Sequence, residues 1–300
     1  MSKNEIKMTK KLIVLGDSLV DAGNTAEVMA LFGQYPFADP IYDKGGNIKA
    51  SDGPVLSEFI ALEMGARNDQ AQLISVLSIE QPNQLQAHNY AHAGARTDYS
   101  PGYPLPITGE TIGIGLKEQK KALAQRKPFY QEMPDVDVLI SCGGNDIRDA
   151  FDLVPTIQDV ISTKNKKDDK KFAASIAKPI ARNLNKIVNF LVPFTDEIAV
   201  LGSPPIMETP EAQDWLTNFA AEDQSKASNV IDLIGKKLIH KLENKTENLD
   251  NVAIMNGTLL WNQLDAPSFV DTIHPDAATS SELAKLFVRE ADNTFTSFSF

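Results

Sequence analysis

One cysteine, Cys142, stands among 300 residues, so no disulfide can form within the chain. Long apolar runs are missing as well. No stretch approaches the roughly 18 apolar residues that a membrane-spanning helix needs. Near the start only Leu12 to Leu15 are apolar in sequence before Gly16, short of the ~7–15 residues of a secretory signal. The expectation is a cytoplasmic chain, one exported by a non-classical route, or one whose signal is not in this sequence. Positive charge is in short supply: 29 Lys and Arg face 40 Asp and Glu, for a net charge of −11. That balance excludes a nucleic-acid binder, which needs a basic face. It also argues against stable membrane attachment by charge, though an apolar groove could still take a lipid as substrate.

Apolar material for a core is not lacking, since 42% of the residues are hydrophobic. Short apolar runs at Leu12–Leu15, Val136–Ser141, Glu197–Leu201 and Val252–Met255 predict buried strands, with a further short strand in 89–97. Between them lie segments with helical spacing: 25–33, Pro54–Met64, 116–126, Lys171–Leu191, Glu211 to about Leu242, and Pro275 to about Glu290. Strands alternating with helices predict an α/β fold of three layers, α/β/α, around a central parallel sheet. Tyr99–Gly115 is rich in Pro and Gly and reads as a surface loop, and the charged patch Lys164–Lys171 as an exposed insertion. No repeat or linker divides the chain. One domain over 1–300 is expected, with 1–10 a flexible start and 293–300 a tail whose Phe295, Phe298 and Phe300 pack on the body.

In such folds function gathers where strands end. Leu12–Leu15 ends at Gly16-Asp-Ser-Leu19, and the apolar residues that follow look helical. Ser18 would then sit in a helix's first turn, where free N–H groups favour an oxyanion. A helix cap at Asp17 or Ser18 is the alternative that local evidence leaves equal. The other strand-end turns lie near Gly94, Asn145 and Ser203.

A serine nucleophile needs an imidazole base, a carboxylate to orient that base, and donors for the oxyanion. Of the four histidines, His240 sits in a Lys-rich helix end, and His88 and His92 flank the small-residue turn around Gly94. His274 follows Asp271 by three residues, in Asp271-Thr-Ile-His274-Pro-Asp276. A loop of that spacing can bring the carboxylate to Nδ1–H and leave Nε2 free to take a proton from Ser18. A helix-start Asp beside a surface His is the plainer reading of the pair. Gly94 can supply a backbone N–H and Asn145 a side-chain NH₂ to an oxyanion, although a turn glycine and a helix cap would look the same.

Four blocks stand in order: Gly16-Asp-Ser-Leu19, Gly94 within Asn89-Tyr-Ala-His-Ala-Gly-Ala95, Gly143-Gly-Asn-Asp146, and Asp271-Thr-Ile-His274. This arrangement resembles the GDSL (SGNH) hydrolases over residues 12 to about 288. The longer Gly-Asp-Ser-Leu-Val-Asp-Ala-Gly-Asn form, Ser51–Ile60 and Gly202–Pro210 are similar to the lipase/esterase branch, which includes plant GDSL esterases and bacterial lysophospholipase or acyltransferase enzymes. The resemblance implies a flavodoxin-like fold and a serine esterase that needs no cofactor or metal. Ser18 is the implied nucleophile, His274 the base and Asp271 its partner. The implied oxyanion hole is Ser18, Gly94 and Asn145, with Asp17, Asp21 and Asn24 structural. Ala93 stands where this family commonly has a glycine, and Cys142 reads as a small buried hydrophobe.

The implied substrate is a lipid or other small acyl ester, lysophospholipids included. Acyl transfer to an alcohol and hydrolysis of short-chain or sugar esters are alternatives within the family. A non-catalytic ligand-binding relative, or metal-dependent hydrolysis through Asp17, Asp271 and His274, are alternatives of other classes. Loops 34–53, 66–88 and 99–115 are expected to line the acyl site.

Overall fold

The computed structural model describes residues 11–30, 33–45, 48–64, 87–98, 100, 102–104, 111–132 and 136–295. The expected loop over 66–86, the start at 1–10 and the tail residues Phe298 and Phe300 lie outside these.

Among the described residues the central sheet has five strands, all parallel. They are β1 (Lys11–Gly16), β2 (Ala87–Asn89), β5 (Val136–Ser141), β6 (Glu197–Leu201) and β7 (Val252–Met255), in spatial order β2-β1-β5-β6-β7. A small antiparallel ribbon, β3 (Tyr103–Pro104) with β4 (Thr111–Ile112), sits in the Pro- and Gly-rich stretch expected to be loop. The helices are α1 (Asn24–Ala30), α2 (Leu56–Glu63), α3 (Leu116–Gln125), α4 (Lys127–Gln131), α5 (Gly144–Arg148) and α6 (Val154–Ser162). They continue as α7 (Lys166–Leu191), α8 (Pro210–Leu216), α9 (Ala221–Thr246), α10 (Gly257–Trp261) and α11 (Ala277–Thr294).

Strand side chains alternate between faces, and the core divides accordingly. Ile13, Leu15, Val138, Ile140, Ile198 and Val200 point into one cluster, packed under α3, α7 and α9. Leu12, Val14, Leu139, Ala199 and Leu201 point the other way, onto α2, α10 and α11. The result is the three-layer α/β/α arrangement expected. Strand order reverses at β1, which lies between β2 and β5, so a crevice opens beyond the carboxyl ends of β1 and β5.

Three local expectations are corrected. No helix follows directly on β1: residues 17–20 form a single turn and α1 starts only at Asn24. Asp21 is the cause, because its Oδ1 captures the N–H groups of Gly23 (2.9 Å) and Asn24 (2.7 Å) and so caps α1 from outside. The Lys164–Lys171 patch is not an insertion but the opening of α7. Asn165 caps it by accepting from Lys167 N at 3.0 Å, and Asp168 and Asp169 favour its positive end. The 211–242 segment is two helices, with Thr209 capping α8 at the Ala212 N–H and a break before Ala221.

Candidate active site

The first wall of the crevice is the turn after β1. Gly16 is required there by close approach: a Cβ would lie 2.1 Å from Ser141 O and 2.6 Å from Val20 Cγ2. Asp17 N donates to Ser141 O at 3.0 Å, while Val20 N and Asp21 N both close on Asp17 O, at 3.2 and 3.0 Å. This presents Ser18, half-buried, at the top of the sheet. Gln119, buried on α3, clamps the strand end. Its Oε1 accepts from Gly16 N at 2.9 Å and its Nε2 donates to Gly16 O at 2.7 Å. Asp17 is buried, and burial pushes its carboxyl up to about 7, with Asp146 and Asp21 adding like charge.

The second wall comes from β2 and β5. Gly94 takes φ +81° in the turn after β2, a conformation that suits glycine. That turn is held at Ala93 N by Asp21 Oδ2 (2.9 Å) and Thr25 Oγ1 (2.8 Å). After β5, Gly143 (φ +117°) turns the chain and Gly144 passes within reach of Ser203. Asn145 follows and donates one Nδ2 hydrogen to Ala95 O at 3.0 Å, leaving the other for a second acceptor. Asp146 accepts from Thr97 N (3.0 Å) and Thr97 Oγ1 (2.7 Å), joining the two turns. Among the described residues the N–H groups of Ser18 and Gly94 donate to no protein acceptor.

The third wall is the loop before α11. Phe269 and Pro275 bridge, Val270 N donates to His274 O at 2.8 Å, and Asp276 caps α11 through Thr279 N. The helix therefore begins at Ala277, two residues after Pro275. Within the loop the Asp271 carboxylate accepts four hydrogen bonds. Oδ1 takes Ile273 N (2.7 Å) and His274 N (2.6 Å); Oδ2 takes His274 Nδ1 (2.5 Å) and the Tyr42 hydroxyl (2.6 Å). Burial alone would raise this carboxyl, but the bonds and charge of His274 and the Tyr42 donor together hold it well below the usual carboxylate range. Burial, and then the same bond to Asp271, push the Tyr42 hydroxyl up.

The walls enclose a cleft of about 70 Å³. Ser18, Asn145 and His274 line it together, with Asp17 and Ser203, and an apolar side is made by Leu19, Pro205, Ile206, Trp261 and Phe269. Asp271 stands behind His274. Gly94 is not among the lining residues; its neighbour Ala95 reaches the cleft through the bond to Asn145. Ser18 Oγ makes no hydrogen bond among the described residues. Across the Ser203–Ile206 wall a second cavity of about 450 Å³ lies between α9 and α10.

The other histidines are elsewhere. His88 Nδ1 meets the Tyr130 hydroxyl in the core, His92 is buried with its pKa lowered by that burial against the opposing pull of Asp21, and His240 is exposed beside Asn244 (3.1 Å). Cys142 is buried, and burial raises its thiol. Tyr42 and Gln119 were invisible to sequence reasoning, because neither belongs to a motif and their partners lie 229 and 103 residues away.

A family model described as GDSL-like lipase/acylhydrolase matches residues 12–287. No curated protein matches the chain. Among solved structures, a catalytic mutant of an acetylxylan esterase from Geobacillus stearothermophilus is 15% identical, covering 94% of this chain and 93% of its own, at a TM-score of 0.45. An extracellular lipase from Streptomyces rimosus is 15% identical, with 94% and 99% covered and a TM-score of 0.46. A member of the lipolytic G-D-S-L family from Veillonella parvula is 11% identical, with 96% and 99% covered and a TM-score of 0.45.

Proposed function

The chain belongs to the GDSL-like lipase/acylhydrolase family and is a carboxylic ester hydrolase, and on that premise we propose that it works through an acyl-Ser18 intermediate. Ser18 Oγ attacks the ester carbonyl while His274 Nε2 takes its proton. Asp271 holds the imidazole through Nδ1 and balances the imidazolium charge as it forms. The tetrahedral oxyanion is met by the N–H groups of Ser18 and Gly94 and by Asn145 Nδ2. Each such donor is worth about 3–4 kcal/mol in the transition state. Collapse breaks the ester C–O bond, and the departing alcohol takes the proton from His274. Water, deprotonated by the same imidazole, then releases the acid and restores Ser18.

The observation that carries this reading is one cleft lined by Ser18, Asn145 and His274, with Asp271 bonded to the far side of the imidazole. The free N–H groups of Ser18 and Gly94 support the oxyanion assignment. The missing Ser18–His274 bond is compatible with it, since catalytic hydrogen bonds commonly tighten only when substrate is bound.

For the substrate we propose an acyl ester of a lipid alcohol, lysophospholipids included, with transfer to a second alcohol as a side reaction. The apolar side made by Leu19, Ile206, Trp261 and Phe269 supports an acyl group. A short-chain esterase is the second reading, favoured by the cleft's volume of about 70 Å³, room for only a few carbon atoms. A series of acyl esters and lysophospholipids of increasing chain length, run with and without an alcohol acceptor, separates these. Ser18→Ala should abolish turnover of p-nitrophenyl acyl esters in a protein with unchanged circular dichroism; full activity would refute the serine mechanism.

A further inference from the structure

We propose that Tyr42 is a positioning residue for catalysis, acting through Asp271; this role rests on the Ser18–His274–Asp271 reading above. Tyr42 lies in a short 3₁₀ turn, Pro40–Gly45, in the loop that follows α1. Its hydroxyl donates at 2.6 Å to Oδ2 of Asp271, the same oxygen that receives His274 Nδ1 at 2.5 Å.

The two carboxylate oxygens are held in different ways. Oδ1 is bound by N–H groups of its own loop, at Ile273 and His274, so it follows any movement of that loop. Oδ2 is tied to a segment 229 residues away, and this bond fixes the carboxylate against the body of the protein. The tyrosine itself is braced. Its ring meets Phe37 edge-on, with centroids 5.5 Å apart, within a small apolar cluster that includes Ala26, Ala50 and Ala93. A donor fixed in that way sets the plane of the carboxylate, and the carboxylate sets the imidazole. It also shares the negative charge of Oδ2, which keeps Asp271 ionised although it is mostly buried.

A tyrosine that merely anchors its loop would make the same bond, so the test asks whether Tyr42 works through Asp271. Tyr42→Phe removes only the oxygen and keeps the ring against Phe37. kcat and KM on a p-nitrophenyl ester are measured for the wild type, Tyr42→Phe, Asp271→Ala and the double variant, with thermal unfolding recorded for each. The expected result is a fall in kcat of about tenfold in Tyr42→Phe, with KM changed less than about twofold. In the Asp271→Ala background the same change should lower kcat by less than about twofold, because the group through which Tyr42 acts is gone. An equal loss in both backgrounds, a loss confined to KM, or a wild-type kcat in Tyr42→Phe overturns the proposal. A fully active Asp271→Ala enzyme would overturn the triad reading itself, and this role with it.

Discussion

Two aspartates flank the cleft and differ in almost everything but their chemistry. Asp17, in the turn after β1, is buried, accepts a long bond from Leu19 N (3.3 Å), and has Asp146 and Asp21 nearby. Its carboxyl is pushed up to about 7. Asp271, in the loop before α11, is also mostly buried, yet four donors converge on it and its carboxyl falls well below the usual range. Burial acts in the same direction on both. Deeper burial and the like charges of Asp146 and Asp21 raise Asp17, whereas the donors aimed at its oxygens and the charge of His274 keep Asp271 ionised. A carboxylate meant to balance an imidazolium must be the second kind.

The largest effect is expected at Asp271. Asp271→Asn should lower kcat by on the order of 10⁴, because an amide presents the wrong partner to Nδ1 and leaves the wrong tautomer at Nε2; steady-state kinetics checks it. A drop of less than tenfold would erase the contrast between the two aspartates.

Next is Asp17, through stability. Its folded pKa of about 7 exceeds the ordinary 3.8, so the native state holds a proton that the unfolded chain has already released. The Asp17 contribution to stability should therefore fall as pH rises from about 4 to about 7, by a few kcal/mol, while buried His92, whose pKa is lowered, contributes with the opposite sign. Asp17→Asn should flatten that slope in denaturant titrations across the window. Asp271 has the opposite sign in a different window: its contribution is present above the ordinary carboxylate value and is lost as pH falls below it. The smallest effect is at Gln119. Gln119→Leu strips the buried Gly16 N–H of its acceptor and should cost about 2 kcal/mol in chemical denaturation.

Much of this was legible in the sequence, for identifiable reasons. β5, β6 and β7 declared themselves through short apolar runs, Val138–Ile140, Ile198–Leu201 and Val252–Met255, and β5 and β6 are buried on both faces. Asp271 and His274 could be paired on paper because three residues of loop are enough to bring a carboxylate to Nδ1. The turn after β1 was harder. Leu19 and Val20 look helical, and only the capture of two N–H groups by Asp21 shows why the helix waits until Asn24. Tyr42 and Gln119 were out of reach, since each matters through one tertiary bond that no local pattern encodes.

The proposed mechanism requires Ser18 Oγ to carry the acyl group. The direct measurement is to treat the protein with an alkyl fluorophosphonate, which phosphonylates an activated serine, and to locate the adduct by peptide mass spectrometry. One adduct is expected, on the peptide holding Ser18, and it should form far more slowly in His274→Ala. An adduct on another residue, or equal labelling of Ser18 in the His274→Ala protein, would contradict that mechanism.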